Sequence, residues 1–539
     1  MACAPLVPVR PKEIKAYISV DSVKGHILLS QSYRTQPTVV TIQLHNLRGR
    51  GSAFGIHEFP VPPRIKGSEN YCDLKHVGPI FNPYGMTPEI TPAPGQGTGD
   101  QYPVGDLSGK FGLLDSSPLM NLHLGIHVDF NIPLFGTNSV IGRSIVITGS
   151  DGEPWICANI GYPGPTRMAV ATFVFPIAGE VVFRQAVNNP YGETTVFGEF
   201  YYIDGSVNDT LDHRWDIHDF EPGRDFYNWT KRCESTGKQF NPFSVGAGRQ
   251  YEKHCNPENP LRCAAGDLTG KGTRISISAK KANHRSIKNK IFYTDVQLPL
   301  SGPDKILGKG LVIHDDHAPP HRGDRLACTG IRIRHPVKAS VKSWLSGPAV
   351  ESNVSGLIQF AQESGFDVTE GKVELYGLAG LAAGYDIHKV WVPIDREFPC
   401  TVDSVQDNFN PYGLNISLGP APGVGSNDQY EVGDLSGKLG TLDGQDAFRL
   451  PEFKDNNLPL HGPNSVVGRS VVVHKRERNF QWTCGTIQPD YKPDGIREVI
   501  GLASFHKEGI AIEGYIRLRQ LEYADGGRGD TWIEMDLRH

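Results

Sequence analysis

The sequence predicts an all-β protein built from tandem domains, with three full copies of one unit and a truncated fourth. One observation is composition: 61 Gly and 40 Pro punctuate runs such as Val170-Ala-Thr-Phe-Val-Phe and Ser470-Val-Val-Val-His, the pattern of short strands joined by turns. The second is length, because 539 residues exceed what one hydrophobic core serves at about 100–200 residues per domain. The third is an ordered set of marks that recurs three times.

The first mark is a short His-bearing strand, Gly55-Ile-His-Glu-Phe, Asp216-Ile-His-Asp-Phe or Asp386-Ile-His-Lys. A cysteine follows at Cys72, Cys233 or Cys400, then Phe-Asn-Pro from Phe81, Phe240 or Phe409. Gly-Asp-Leu-Ser/Thr-Gly-Lys begins at Gly105, Gly266 and Gly433, its Asp 34 residues after the cysteine in every copy. A Gly-Arg/Lys strand starts at Val140, Ile306 or Val466, and each set closes on Cys157, Cys328 or Cys484. A period of roughly 160–170 residues is far longer than a solenoid unit, so each copy is a whole domain. The expected domains are 12–163, 167–335 and 336–490. Leu502-Ala-Ser-Phe…Gly514-Tyr-Ile-Arg-Leu-Arg-Gln then repeats the pattern of Val170-Ala-Thr-Phe…Gly179-Glu-Val-Val-Phe-Arg-Gln, and Thr531-Trp-Ile-Glu-Met-Asp-Leu matches Thr195-Val-Phe-Gly-Glu-Phe-Tyr. Residues 496–539 are therefore expected to form a truncated fourth copy of three strands, its uncovered face carrying Phe505, Tyr515 and Trp532.

These marks resemble the copper/zinc superoxide dismutase family. The resemblance implies an eight-stranded Greek-key β-barrel per copy. The multi-copy layout is similar to copper-only dismutase repeat proteins and to the pernin-like proteins of molluscan haemolymph. It also implies the bonds Cys72–Cys157, Cys233–Cys328 and Cys400–Cys484, leaving Cys255 and Cys263 as a local pair and Cys3 as an odd cysteine, free or joined to another molecule.

Family copper chemistry uses four imidazoles, one of them bridging to zinc. Mapped onto this sequence, the four positions read Gly55, His57, Ile80 and Thr148 in the first copy, Asp216, His218, Gln239 and His314 in the second, and Asp386, His388, Asn408 and His474 in the third. Of the zinc ligands the Asp persists as Asp106, Asp267 and Asp434, while Pro103, Ala264 and Glu431 replace the preceding His. The Arg that meets superoxide is matched only by Arg325, against Pro154 and Gln481. The second and third sets read either as weak sites for zinc or copper or as hydrogen-bonded polar plugs in which carboxylate and amide satisfy the imidazoles. The plug is the favoured reading, and no cofactor is required.

A net charge of -5 without a basic stripe argues against nucleic acid, and no apolar run approaches the roughly 18 residues of a membrane span. The N-terminus has no signal-peptide pattern, yet the cysteine framework and the sequons at Asn208, Asn228, Asn353 and Asn415 point to an extracellular body fluid, so the chain reads as a mature, secreted glycoprotein. Three smaller signals take structural readings: His314-Asp-Asp-His-Ala-Pro-Pro-His as a solvated turn, Arg528-Gly529-Asp530 as a β-turn instead of an integrin ligand, and His213 as a backbone-bonding histidine. The function expected from the sequence is a non-catalytic protein that assembles into a large homo-oligomer through residues 496–539 and carries divalent metal ions. Its rivals are a residual copper-dependent dismutase using the second copy and an extracellular protein-binding or inhibitor module.

Overall fold

The computed structural model describes residues 9–67, 69–87, 90–114, 122–205, 207–246, 248, 250–279, 287–315, 324–346, 352–393, 396–477, 480–491, 495–506 and 511–538. Cys3 and most of the His314–His321 turn lie outside them. Strands dominate, and the helical pieces are single turns of three to five residues. No helix among the described residues is long and apolar enough to cross a membrane. The described chain divides into two compact units, one holding most of residues up to Arg334 and the other His335–His539 with Tyr17–Gly25 and Pro62–Asn70.

In the first segment Lys12–Val20, Val23–Gln31, Thr38–His45 and Leu122–Asp129 form one sheet in that order, and Gly51–His57, Ser144–Gly149 and Pro154–Asn159 form another. Thr38–His45 thus pairs with a strand that comes after Gly51–His57 in the chain, a Greek-key crossing. The second segment repeats this, with Thr194–Tyr202 pairing Lys290–Asp295 across Trp215–His218. The third does so with Thr369–Tyr376 pairing Ala447–Asp455 across Ala382–His388. Alternate residues of facing sheets fill the cores: Ala171, Phe173, Val181, Phe183 and Phe200 meet Trp215, Ile217 and Ile313 in the second segment, and Ile358, Phe360 and Val373 meet Tyr385, Ile387 and Val473 in the third. Such period-2 burial is what strand sequences with one apolar face produce.

The sequence marks are places where the backbone is pinned. Ile56 N donates to Gly105 O, Phe81 N to Ile56 O and Gly105 N to Phe81 O, and the same triangle joins Ile217, Gly266 and Phe240, and Ile387, Gly433 and Phe409. A Cβ on Gly105 would lie 2.2 Å from Ile56 O, with 2.5 Å and 2.3 Å at Gly266 and Gly433, so only glycine fits. The Phe ring of Phe-Asn-Pro receives the cation of the Gly-Arg/Lys strand: Arg143 lies 3.6 Å from the Phe81 centroid, Lys309 4.7 Å from Phe240 and Arg469 3.6 Å from Phe409. Disulfides join Cys72 to Cys157, Cys233 to Cys328, Cys255 to Cys263 and Cys400 to Cys484.

The second strand of four sheets carries a glycine of positive φ near its start, Gly25, Gly179, Gly356 and Gly514. At Gly356, φ is +122° and a Cβ would stand 2.0 Å from Glu374 O on the paired strand. Gly356→Ala is therefore expected to cost about 2 kcal/mol or more, read as a lower urea midpoint for the unit that carries it.

The C-terminal sheet consists of Ile496–Phe505, Glu513–Tyr523 and Arg528–Arg538, with Glu513–Tyr523 central. Gly514 pairs with Leu537 and Gln520 with Thr531, whereas Gly179 pairs with Phe200 and Gln185 with Thr194. Thr531 is therefore the counterpart of Thr194, one residue away from the match to Thr195 that the sequence alone suggested. A one-residue slip exchanges the faces of a strand, which corrects the list of uncovered aromatics. Phe505 lies on the open face with Val499, Leu518, Ile533, Met535 and Leu537, all exposed. Tyr515 and Trp532 lie on the other face, where Trp532 packs against the third core. The Arg528–Asp530 tripeptide opens a strand and is not the turn, because Ala524, Asp525 and Gly526 (φ +84°) turn the chain before it. Asp530 Oδ2 accepts from Gly462 N at 2.8 Å.

Candidate functional site

Each His-bearing strand is bridged by the residue before Phe-Asn-Pro, His57 opposite Ile80, His218 opposite Gln239, and His388 opposite Asn408. Its other neighbour is the Gly-Arg/Lys strand, which brings Thr148, His314 or His474 alongside.

In the first segment the site is closed by apolar and backbone contacts. His57 is buried, its Nδ1 sits 2.7 Å from Gly78 O, and burial lowers its pKa. Thr148 Oγ1 is spent on the Ala53 backbone. A Cβ on Gly55 would touch Ile80 at 3.6 Å.

The second segment draws Asp216, His218 and His314 together: all three are buried and their ligand atoms lie within 4.8 Å of one another. Gln239 Nε2 donates to Asp216 Oδ1 at 2.8 Å, and His314 Nε2 stands 3.2 Å from Asp216 Oδ2. His218 Nδ1 meets Gly237 O at 3.1 Å, which aims Nε2 inward. Its pKa is pushed down to about 4, mainly by burial, with Arg325 and His314 adding to the fall against the opposing Gly237 and Asp216, so the ring is neutral at physiological pH. Arg325 donates to Cys233 O, to Thr236 Oγ1 at 3.1 Å and to Gly237 O at 2.7 Å. His213 binds backbone, its Nδ1 2.8 Å from His314 O, and Nε2 2.7 Å from Thr210 Oγ1.

In the third segment the two imidazoles stand closer, ring centroids 5.5 Å apart against 6.1 Å in the second. His388 Nε2 and His474 Nε2 are 3.4 Å apart, and His474 Nε2 is 3.4 Å from Asp386 Oδ2. Burial first, then Asp434, raises the Asp386 pKa well above the usual carboxylate range. Asn408 hydrogen-bonds Glu431, the residue at the family's zinc-histidine position, whose carboxylate also accepts from Asn410 at 2.9 Å.

The Asp of Gly-Asp-Leu has taken a structural task in each segment, capping a helical turn by accepting from Gly109 N, Gly270 N or Gly437 N. Sequence reasoning passed over the Lys that ends the same motif. Lys110, Lys271 and Lys438 are buried and paired with the buried Asp129, Asp295 and Asp455 at 3.2, 2.7 and 2.8 Å. The signal was present, since three lysines at the same offset from a glycine-rich turn are more than surface charge.

Residues 354–495 match the family profile described as copper/zinc superoxide dismutase (SODC). The superoxide dismutase [Cu-Zn] of Kluyveromyces lactis is 35% identical over 125 residues, which cover 23% of this chain and 72% of that protein. This chain belongs to the copper/zinc superoxide dismutase family. The extracellular superoxide dismutases [Cu-Zn] of Onchocerca volvulus and Brugia pahangi are each 30% identical, and the matches span about half of their length, 55% and 53%. Among solved structures, Candida albicans superoxide dismutase 5 in its Cu(II) form is 24% identical, covering 30% of this chain and 96% of its own, with a TM-score of 0.24. The clock protein EA4 is 22% identical over 32% of this chain and 97% of its own, at 0.21. Against the family pattern this chain keeps the residues that pin loops to strands, and at two of the four copper positions it carries Asp216 and Gln239 in the second segment and Asp386 and Asn408 in the third. Two imidazoles, a carboxylate and an amide do not fit redox copper, and a carboxamide cannot bridge two metals as an imidazolate does. The set Asp216, His218, His314 is a chemically suitable one for zinc.

Proposed function

We propose that this chain is a secreted, non-catalytic member of the dismutase family, similar in layout to the pernin-like proteins of haemolymph, that self-associates through its C-terminal sheet and carries a divalent ion at Asp216, His218 and His314. In this reading 12–163, 167–335 and 336–490 are complete barrels and 496–539 is a partial one. All four sequon asparagines are exposed, as glycosylation requires.

The observation that carries the self-association is the open face of the C-terminal sheet. Ala171, Phe173, Val181 and Phe183 of the second segment are buried against a facing sheet, and their counterparts Ala503, Phe505, Ile516 and Leu518 share one face of a sheet whose Ile533 is 64% exposed. The opposite face is mixed: Arg519 pairs with Glu498 at 2.6 Å and Glu534 at 3.0 Å, Trp532 packs against the third core, and Ile500 and Leu502 are exposed. Strand spacing and rise give the open face about 450 Å², below the ~800 Å² per partner of a standard interface. Among the described residues no further strand pairs with the outer edges of Ile496–Phe505 and Arg528–Arg538, so these edges have to contribute to a stable assembly. Each edge offers a place for a strand and the face a place for an apolar surface, and in this reading another copy of this chain supplies both in a closed particle.

The test is the native mass of full-length protein and of a chain ending at residue 495, by light scattering. The full chain is expected as a multimer and the truncated chain at a smaller mass. A monomeric full chain, or equal subunit numbers in both, sinks the assembly role. A residual dismutase in the second segment remains the competing reading, favoured by the position of Arg325 beside His218.

A further inference from the structure

The strand Leu122–Asp129 has its alternation turned inside out. Val40, Ile42 and Leu44 of the neighbouring strand pair with His127, Gly125 and His123. Directly paired residues share a face, and Val40, Ile42 and Leu44 are buried. The two imidazoles are therefore on the core side, while Leu124, Ile126 and Val128 point outward and are exposed. The other segments do the reverse. In register with the pairing of Thr194 and Asp295, Tyr293 and Ile291 occupy the positions of His127 and Gly125 and pack in or against the core. In the third segment Phe453 fills the corresponding place.

Half-buried imidazoles in place of core hydrocarbon cost desolvation unless something engages them. Among the described residues neither ring has a protein hydrogen bond. What they share is a space: a Cβ on Gly125 would stand 2.8 Å from His127 Nε2 and 3.8 Å from His123 Nε2. Residues four apart on a strand are about 13 Å apart, so the two rings lean together over the glycine. Phe111 stacks on His127, centroids 4.4 Å apart and planes at 17°, which fixes that ring. Burial lowers the pKa of both, and His123 lowers that of His127 further, so both are neutral donors.

We propose that His123 and His127 hold a divalent transition-metal ion, zinc or copper(II), in the cradle above Gly125. Imidazole is the ligand these ions share, and water completes the coordination. The site lies on a different strand, in a different segment, from Asp216, His218 and His314, and stands whether or not that set binds an ion.

The test is calorimetric titration of chelator-stripped, full-length protein with Zn²⁺ alone. H123A/H127A is expected to lose about one equivalent that H218A/H314A retains. In G125A both imidazoles remain but the added Cβ occupies the cradle, and the same equivalent is expected to weaken at least about tenfold. If the wild-type chain takes up no such equivalent, or if H123A/H127A or G125A binds it unchanged, the site does not exist. Should H123A/H127A lose its melting transition, G125A decides alone, since its backbone is not in the positive-φ region.

Discussion

Copper-loaded protein, washed with chelator, is expected to consume superoxide at least a thousandfold below the roughly 10⁸–10⁹ M⁻¹s⁻¹ diffusional range. The first segment offers one imidazole, with Ile80 against the position of Gly55. In the second, the carboxylate at a copper position is held by Gln239 at 2.8 Å and faces His314 at 3.2 Å. In the third, a copper position is held by Asp386, whose charged form is disfavoured by burial and Asp434. Arg325 survives beside His218, but an anion-guiding arginine has no effect on rate where no metal cycles between oxidation states. Superoxide decay would be followed against free copper with and without chelator, and a chelator-resistant rate in the diffusional range would restore the residual dismutase of the second segment.

Lys438→Met is expected to destabilise its unit by about 3–5 kcal/mol. Lys438 Nζ donates to Asp455 Oδ2 at 2.8 Å, Val432 O at 3.0 Å and Asn457 O at 3.2 Å, with neither charged side chain meeting solvent. Methionine fills most of the volume and removes the charge, so the loss is that of an uncompensated buried carboxylate and not of packing. Asp455 still accepts from Asn457 N at 2.7 Å, which keeps the cost from rising further. Lys110→Met and Lys271→Met should behave alike, because Lys110 reaches Val104 O and Asp129, and Lys271 reaches Ala265 O and Asp295. Differential scanning calorimetry should show the affected transition moved down by roughly 10 °C. K438M/D455L, which removes both charges, should recover part of the loss, and a K438M transition at the wild-type temperature would contradict the pairing.

The sequence by itself determined the all-β class, the family, the pairing of eight cysteines and which residues stand at the family's metal positions. It could do so because the recurring marks are positions where chemistry permits few substitutes. Gly105, Gly266 and Gly433 admit a neighbouring carbonyl where a Cβ would sit at 2.2–2.5 Å, and a disulfide needs two cysteines. What only the tertiary structure decided are matters of facing and proximity. A strand has two faces and a sequence does not say which meets the core, so a one-residue difference in pairing moved Trp532 from the open face to the packed one. The same rule put His123 and His127 on the core side with their nitrogens over Gly125. The different surroundings of two like sets, Asp216 bonded by an amide and Asp386 with its pKa raised by burial and Asp434, depend on Gln239 and Asp434, residues 23 and 48 positions away in the chain. Only the fold sets those distances, and electrostatic effects between buried groups depend on them steeply.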